Sequence, residues 1–132
     1  MAEGSGRATA DGAGDAAAPG GRDVVDILII GGGPTGLFAA FYAGLRGLRS
    51  AIVDSLEELG GQVTAMYPEK FIYDVGGFPA VLGKDLIANL AEQAGQFSPQ
   101  IHLSERALTL ERIADDEVFR LETDKEIGRA HV

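Results

Sequence analysis

The residues of this 132-residue chain whose spacing could do chemistry are three glycines, Gly31, Gly33 and Gly36, set G-x-G-x-x-G within Gly31-Gly32-Gly33-Pro34-Thr35-Gly36. In that spacing the first glycine permits a tight strand-to-helix turn. The second lacks the side chain that would keep a diphosphate off the backbone, and the third lets a helix lie close to a sheet. The helix N-terminus then offers free N–H groups and a positive dipole end to the anion. Asp54 follows Gly36 by 18 positions, where a carboxylate can accept hydrogen bonds from a ribose. Its charge disfavours a ribose 2′-phosphate, so a dinucleotide other than NADP is the expected occupant. The competing reading is a glycine-rich turn of any α/β protein, with Asp54 a solvated acid.

These residues need a strand before the glycines, a helix after them and a second strand leading to Asp54. The sequence supplies all three. Val24-Val25-Asp26-Ile27-Leu28-Ile29-Ile30 is short, β-branched and almost wholly apolar, which predicts a strand buried on both faces of a parallel sheet. Pro34 suits the first helical position. Leu37, Phe38, Phe41 and Leu45 recur at helical spacing, with Phe38 and Phe41 expected in the core, and Gly47 is a natural terminator. Ser50-Ala51-Ile52-Val53 is a second buried strand.

Leu56 to Gly83 reads as irregular, and long connections of that kind are usually functional. A second helix is predicted from Lys84 to Phe97, stopped by Ser98-Pro99. Ile101-His102-Leu103 is a third short strand. Ala107–Ile113 and Val118–Glu122 alternate as a hairpin turning near Asp115-Asp116. The fold class is α/β, a Rossmann-like domain with a parallel sheet and a small antiparallel hairpin. Residues 1–22, rich in Ala and Gly without a large apolar residue after Met1, are expected to be a disordered tail.

Composition excludes several classes. The net charge of −9 argues against a nucleic-acid surface, which needs Lys and Arg to neutralise phosphates. With no cysteine, disulfides, thiolate metal sites and a Cys-x-x-Cys redox pair are absent from these residues. His102 and His131 have no ligand spacing, so no metal site is expected. No apolar run approaches a membrane span and no secretory signal is visible, which makes the cytoplasm the default location.

Further motifs carry a resemblance. The run from Asp26 through the glycines to Gly44, then Leu59-Gly60-Gly61-Gln62, Tyr67-Pro68-Glu69-Lys70, and Ile72-Tyr73-Asp74-Val75-Gly76-Gly77-Phe78-Pro79 resemble the FAD half of the thioredoxin-reductase-like ferredoxin–NADP reductases. The likeness covers roughly Asp23 to Leu121. It implies FAD as cofactor, NADPH as co-substrate of the intact protein, ferredoxin or flavodoxin as partner, and a homodimer. It also implies roles by position. Thr35 would lie near the FAD diphosphate, Asp54 would hold the adenosine ribose, and Gln62 would hydrogen-bond on the flavin side. Tyr67 would lie against the isoalloxazine, and the Ala107 backbone would approach the adenine. Members of that family often carry Glu where Asp54 stands and Val where Ala107 stands. Each position has a plainer reading beside this one: Gln62 bonding loop backbone, Tyr67 a core aromatic with a satisfied hydroxyl, Thr35 a first-turn residue and Ala107 an ordinary strand residue.

No residue is a credible acid, base or nucleophile, so none is assigned as catalytic. The related disulfide reductases are the alternative enzyme, and a flavin-binding fragment without turnover is the alternative of another class. The FAD-binding part, residues 23–125, is expected to be unfinished, lacking a second nucleotide-binding domain and a sheet strand after the hairpin. Residues 126–132, Glu-Ile-Gly-Arg-Ala-His-Val, depart from the family pattern. They match the translation of a common sequencing-library adapter in one reading frame, which reads as a non-native tail, with a genuine divergent tail as the alternative.

Overall fold

The computed structural model describes residues 21–113, 117–125 and 127–131, with side chains described from residue 24 to residue 125. The chain runs β1 (Gly21–Val25), β2 (Ile27–Ile30), α1 (Pro34–Leu45), β3 (Ser50–Val53), α2 (Gln62–Met66), β4 (Phe71–Ile72), β5 (Val81–Leu82), α3 (Gly83–Gly95), β6 (Gln100–His102), β7 (Ala107–Ile113), β8 (Val118–Thr123) and β9 (Ile127–His131). Three parallel strands in the order β2-β3-β6 carry the nucleotide-type βαβ unit. A four-stranded sheet, β1-β9-β8-β7, stands beside it, and β4 and β5 form a small antiparallel pair.

The single strand expected over residues 24–30 is two. At Asp26 the N–H groups of Asp26 and Ile27 both donate to the Arg49 carbonyl, at 3.0 and 3.1 Å. Two residues thus oppose one, which is a bulge that turns the strand. The Asp26 carboxylate accepts the Arg49 N–H at 2.7 Å and fixes the break. Before it the chain pairs with β9, and after it with β3. Because β2 is an edge strand of the parallel sheet, it is only half-buried and Ile30 is 56% exposed. Full burial on both faces, expected for it, belongs to β3 alone, the central strand.

Helices α1 and α3 cover one face of the parallel sheet. Leu37 and Ala40 of α1, Ile87 and Ala94 of α3 and Ile52 of β3 form the main core cluster. Burying a side chain such as Leu37 or Ile52 contributes about 2 kcal/mol each. Phe38, expected in the core, is 51% exposed. One residue step on a helix is a rotation of about 100°. Leu37 points into the cluster, so Phe38 points past its edge, where it rests against Phe41 and Tyr42 on the outer face of α1. Phe41 is half-buried and packs on the core as expected.

The segment 56–83, read as irregular, contains α2 and the β4–β5 pair. Five-residue helices and two-residue strands are too short to show a period. The hairpin forms as expected, β7 with β8, while its turn near Asp115-Asp116 lies outside the described residues. Of the tail 1–22, Gly21 and Arg22 belong to β1, and the rest lies outside the described residues. Where an unpaired edge was expected after the hairpin, residues 127–131 of the segment read as non-native form β9, parallel to β1 and antiparallel to β8. Among the described residues no helix is long and apolar enough to cross a membrane.

Candidate dinucleotide-binding site

The glycine turn sits at the C-terminal end of β2, the crevice position at which open parallel sheets bind ligands. Each glycine there answers a different constraint. Gly31 has φ +109°, a conformation that L side chains rarely adopt, and its N–H donates to the Val53 carbonyl at 2.8 Å. The turn therefore leaves the sheet from a bonded position. At Gly36 a β-carbon would collide with the Gly31 carbonyl oxygen, so α1 can approach the turn only with hydrogen there.

Gly33 differs from both. Its φ of −75° suits any residue, and a β-carbon would meet only Gly60 O and Gly61 Cα at 3.9 Å, an ordinary contact. Nothing in the described protein demands glycine at this position. A group lying against the outside of the turn would.

Gly33 is also the N-cap of α1, and no side chain caps that helix or places an acid in its first turn. Pro34 brings no N–H. The N–H groups of Thr35 and Gly36 have no partner within the helix and point out of its end. Thr35 itself is exposed. The result is an uncapped twelve-residue helix aimed at a backbone left bare of side chains, a cradle that an anionic diphosphate fits.

Asp54 is locked to this turn. Only 9% exposed, it accepts the Gly32 N–H on Oδ2 at 2.6 Å and the Leu56 N–H on Oδ1 at 2.8 Å. Its own backbone is bonded on both sides, N–H to His102 O and carbonyl from Glu105 N–H, both at 2.9 Å. The reading of Asp54 as a solvated surface acid therefore fails. It organises the end of β3, and the lone pairs its two backbone donors leave free remain available to a ribose.

Sequence reasoning passed over Gly32. A β-carbon on it would stand 2.9 Å from Leu59 Cδ2 and 3.3 Å from Asp54 Oδ2. Its carbonyl accepts the Gly60 N–H at 2.8 Å, while a β-carbon on Gly61 would lie 3.2 Å from Gly33 Cα. Gly60 and Gly61 both have positive φ, +114° and +56°. The Leu59-Gly60-Gly61-Gln62 loop thus docks backbone against backbone on the first glycine turn. The signal was present in the sequence as a second glycine pair, but its purpose needs the contact.

That docking places Gln62 at the start of α2 and Tyr67 at its C-cap. Both are exposed. Tyr67 lines an open, mostly apolar concavity of about 390 Å³ with Val63, Phe71, Ile72 and Tyr73, and the Lys70 ammonium lies 4.9 Å from the Tyr67 ring centroid. Tyr67 is therefore a surface aromatic and not a core one, with a cation over its ring. Ala107, the first residue of β7, is half-buried and sits two residues beyond Glu105, whose N–H bonds Asp54. The fold brings Gly31, Gly33, Gly36 and Asp54 directly together. Gln62 is attached to them through Gly60 and Gly61, Ala107 through Glu105, and Tyr67 only at the far end of α2. Among the described residues no group of three His, Cys, Asp or Glu could hold a metal ion.

Comparison with known proteins places this geometry. The model of the FAD dependent oxidoreductase family matches residues 26–124. The chain is 53% identical over 106 residues to ferredoxin–NADP reductase 2 of Shouchella clausii, covering 80% of this chain and 32% of that one. It is 64% identical over 83 residues to the ferredoxin–NADP reductase of Salinispora arenicola, covering 63% of this chain and 26% of that one. Among solved structures it is similar to T. acidophilum thioredoxin reductase, with a TM-score of 0.69 and 26% identity over 83% of this chain and 34% of that one. The chain spans about a third or less of the length of these curated relatives.

Proposed function

Since the chain belongs to the FAD dependent oxidoreductase family, we infer that its glycine cradle holds FAD and that it is the FAD-binding portion of a flavoprotein moving electrons between NADPH and ferredoxin or flavodoxin. The observation that carries this reading is Gly33, a glycine that the protein's own packing does not require, facing the open end of an uncapped helix. Bound there, FAD would supply hydride acceptance and single-electron release, chemistry that the cofactor brings and the protein tunes.

The chain's own residues position the cofactor. The N–H groups of Thr35 and Gly36 bond the diphosphate, and the bare backbone at Gly31 and Gly33 lets it approach. Asp54 accepts from the adenosine ribose while keeping the turn closed through Gly32. Gln62 bonds the flavin side, Tyr67 packs against the isoalloxazine, and the Ala107 backbone meets the adenine. No residue among these needs to exchange a proton with substrate, so none is assigned as catalytic. The described residues include one G-x-G-x-x-G turn of this kind, and Asp54 disfavours a 2′-phosphate at it, so NADPH would be held by other residues of a longer protein. A homodimer in the cytoplasm completes the proposal.

A disulfide reductase is the second reading, favoured by the likeness to thioredoxin reductase. Identity of 53% to a ferredoxin–NADP reductase against 26% to a thioredoxin reductase ranks it below the first. The test is the visible spectrum of the purified chain after incubation with FAD and desalting. Retention of the oxidised flavin band, not bleached by NADPH, is the expected result. A folded chain that retains no flavin overturns the cofactor assignment.

A further inference from the structure

At the end of the parallel sheet opposite the glycine turn lies an open cavity of about 370 Å³, lined by Gly44, Leu48, Ser50, Phe97, Ser98 and Gln100 among others. It is within the size range of small-molecule sites, about 300–1,000 Å³. Its floor is Ser50, the first residue of β3. Side chains alternate along a strand, so Ser50 faces the same side as Ile52. Ile52 packs against Leu37 and Ala40 of α1 and Ile87 and Ala94 of α3. Ser50 therefore points toward the helix layer, beneath the C-terminal ends of both helices, which is where the cavity lies.

Ser50 is 6% exposed, and among the described residues its hydroxyl has no hydrogen-bond partner. A buried hydroxyl without a partner costs free energy and calls for an explanation. The surroundings say what would satisfy it. The walls are apolar at Leu48 and Phe97, 42% and 41% exposed. The last turns of α1 and α3 carry no basic side chain, and their Ala43, Gly44, Ala94 and Gly95 carbonyls already accept backbone N–H groups, so it is the Ser50 hydroxyl that is left without a partner among the described residues. The one charged residue at the cavity, Arg49, has a side chain 68% exposed, with Nε 3.7 Å from the Asp26 carboxylate outside it.

We propose that this cavity is a second binding site, distinct from the dinucleotide cradle, for a small neutral molecule with an aromatic or apolar body and one hydroxyl or N–H group. The body lies against Phe97 and Leu48. The polar group exchanges a hydrogen bond with Ser50.

The test uses the full chain saturated with FAD and titrated with phenol, then with toluene, followed by amide NMR shifts. Saturable phenol shifts confined to Gly44, Leu48, Ser50 and Ser98 are expected. Toluene should bind about fivefold more weakly, the ratio set by one neutral hydrogen bond. In Ser50→Ala that preference should vanish with flavin retention unchanged, and Leu48→Trp should block both probes by filling the cavity. Absence of saturable shifts there, as for a cleft that holds only water, overturns the proposal. So does a phenol preference that survives in Ser50→Ala, equal binding of the two probes by the unaltered chain, or undiminished binding by Leu48→Trp.

Discussion

Gly36 and Asp54 each do at the scale of one residue what a larger side chain or a neutral one could not. A β-carbon at Gly36 would strike the Gly31 carbonyl oxygen, a backbone atom that cannot rotate away. Gly36→Ala is expected to lower stability by about 1–3 kcal/mol, the usual cost of overpacking, and to abolish retention of FAD on desalting because α1 must lift off the turn. Flavin bound by Gly36→Ala as tightly as by the unaltered chain would show that the close approach is dispensable.

Asp54 is tested by truncation. Asp54→Ala leaves the buried Gly32 N–H without an acceptor, a loss of about 1–3 kcal/mol. For a domain of this size that is a fall of at least about 4 °C in the thermal midpoint. It also removes the proposed ribose acceptor, so FAD affinity should fall along with stability. An unshifted melting curve followed by circular dichroism would contradict the locking role.

Helix α1 shows how an element divides its residues. Both Leu37 and Phe38 satisfy an apolar pattern, but only one faces the sheet. Leu37→Ala should cost about 3 kcal/mol through the cavity it leaves. Phe38→Ser should change stability by no more than about 1 kcal/mol, because the ring is half in water already. Urea denaturation of the two variants measures both, and equal losses would place Phe38 in the core after all. The same helix is held near α3 by Gly44, where a β-carbon would collide with the Phe97 side chain. Its N-terminus meets the proposed cofactor and its C-terminus the second cavity, so the element links two ends of one sheet.

For the whole molecule the relevant quantity is linkage between cofactor and fold. The glycine turn, the Gly60-Gly61 loop and the Glu105 segment before β7 are separate segments joined by the hydrogen bonds of Gly32 and Asp54. A ligand that touches all of them stabilises the folded state by mass action. At about 100 times its dissociation constant FAD should add about 2.7 kcal/mol, a rise of roughly 10 °C or more in the thermal midpoint. A midpoint independent of FAD concentration would mean that the chain folds without engaging the cofactor.

Periodicity and glycine spacing by themselves determined the βαβ unit, the glycine turn between strand and helix, the place of Asp54 at the end of β3 and the hairpin, because those features are local. An apolar run bounded by glycines, a helical repeat after Pro34 and an acid at a strand's end each depend on residues close in sequence. Tertiary structure decided the rest. The bulge at Asp26 depends on a carbonyl of residue 49, and the exposure of Phe38 depends on where α3 lies. Gly32 and Gly61 are constrained by segments more than twenty residues away, through Asp54, Gly60 and Gly33. The buried hydroxyl of Ser50 is visible only once two helix ends are seen to close over it. Contacts between distant segments leave no periodic trace in either one, which is why folding alone reveals them.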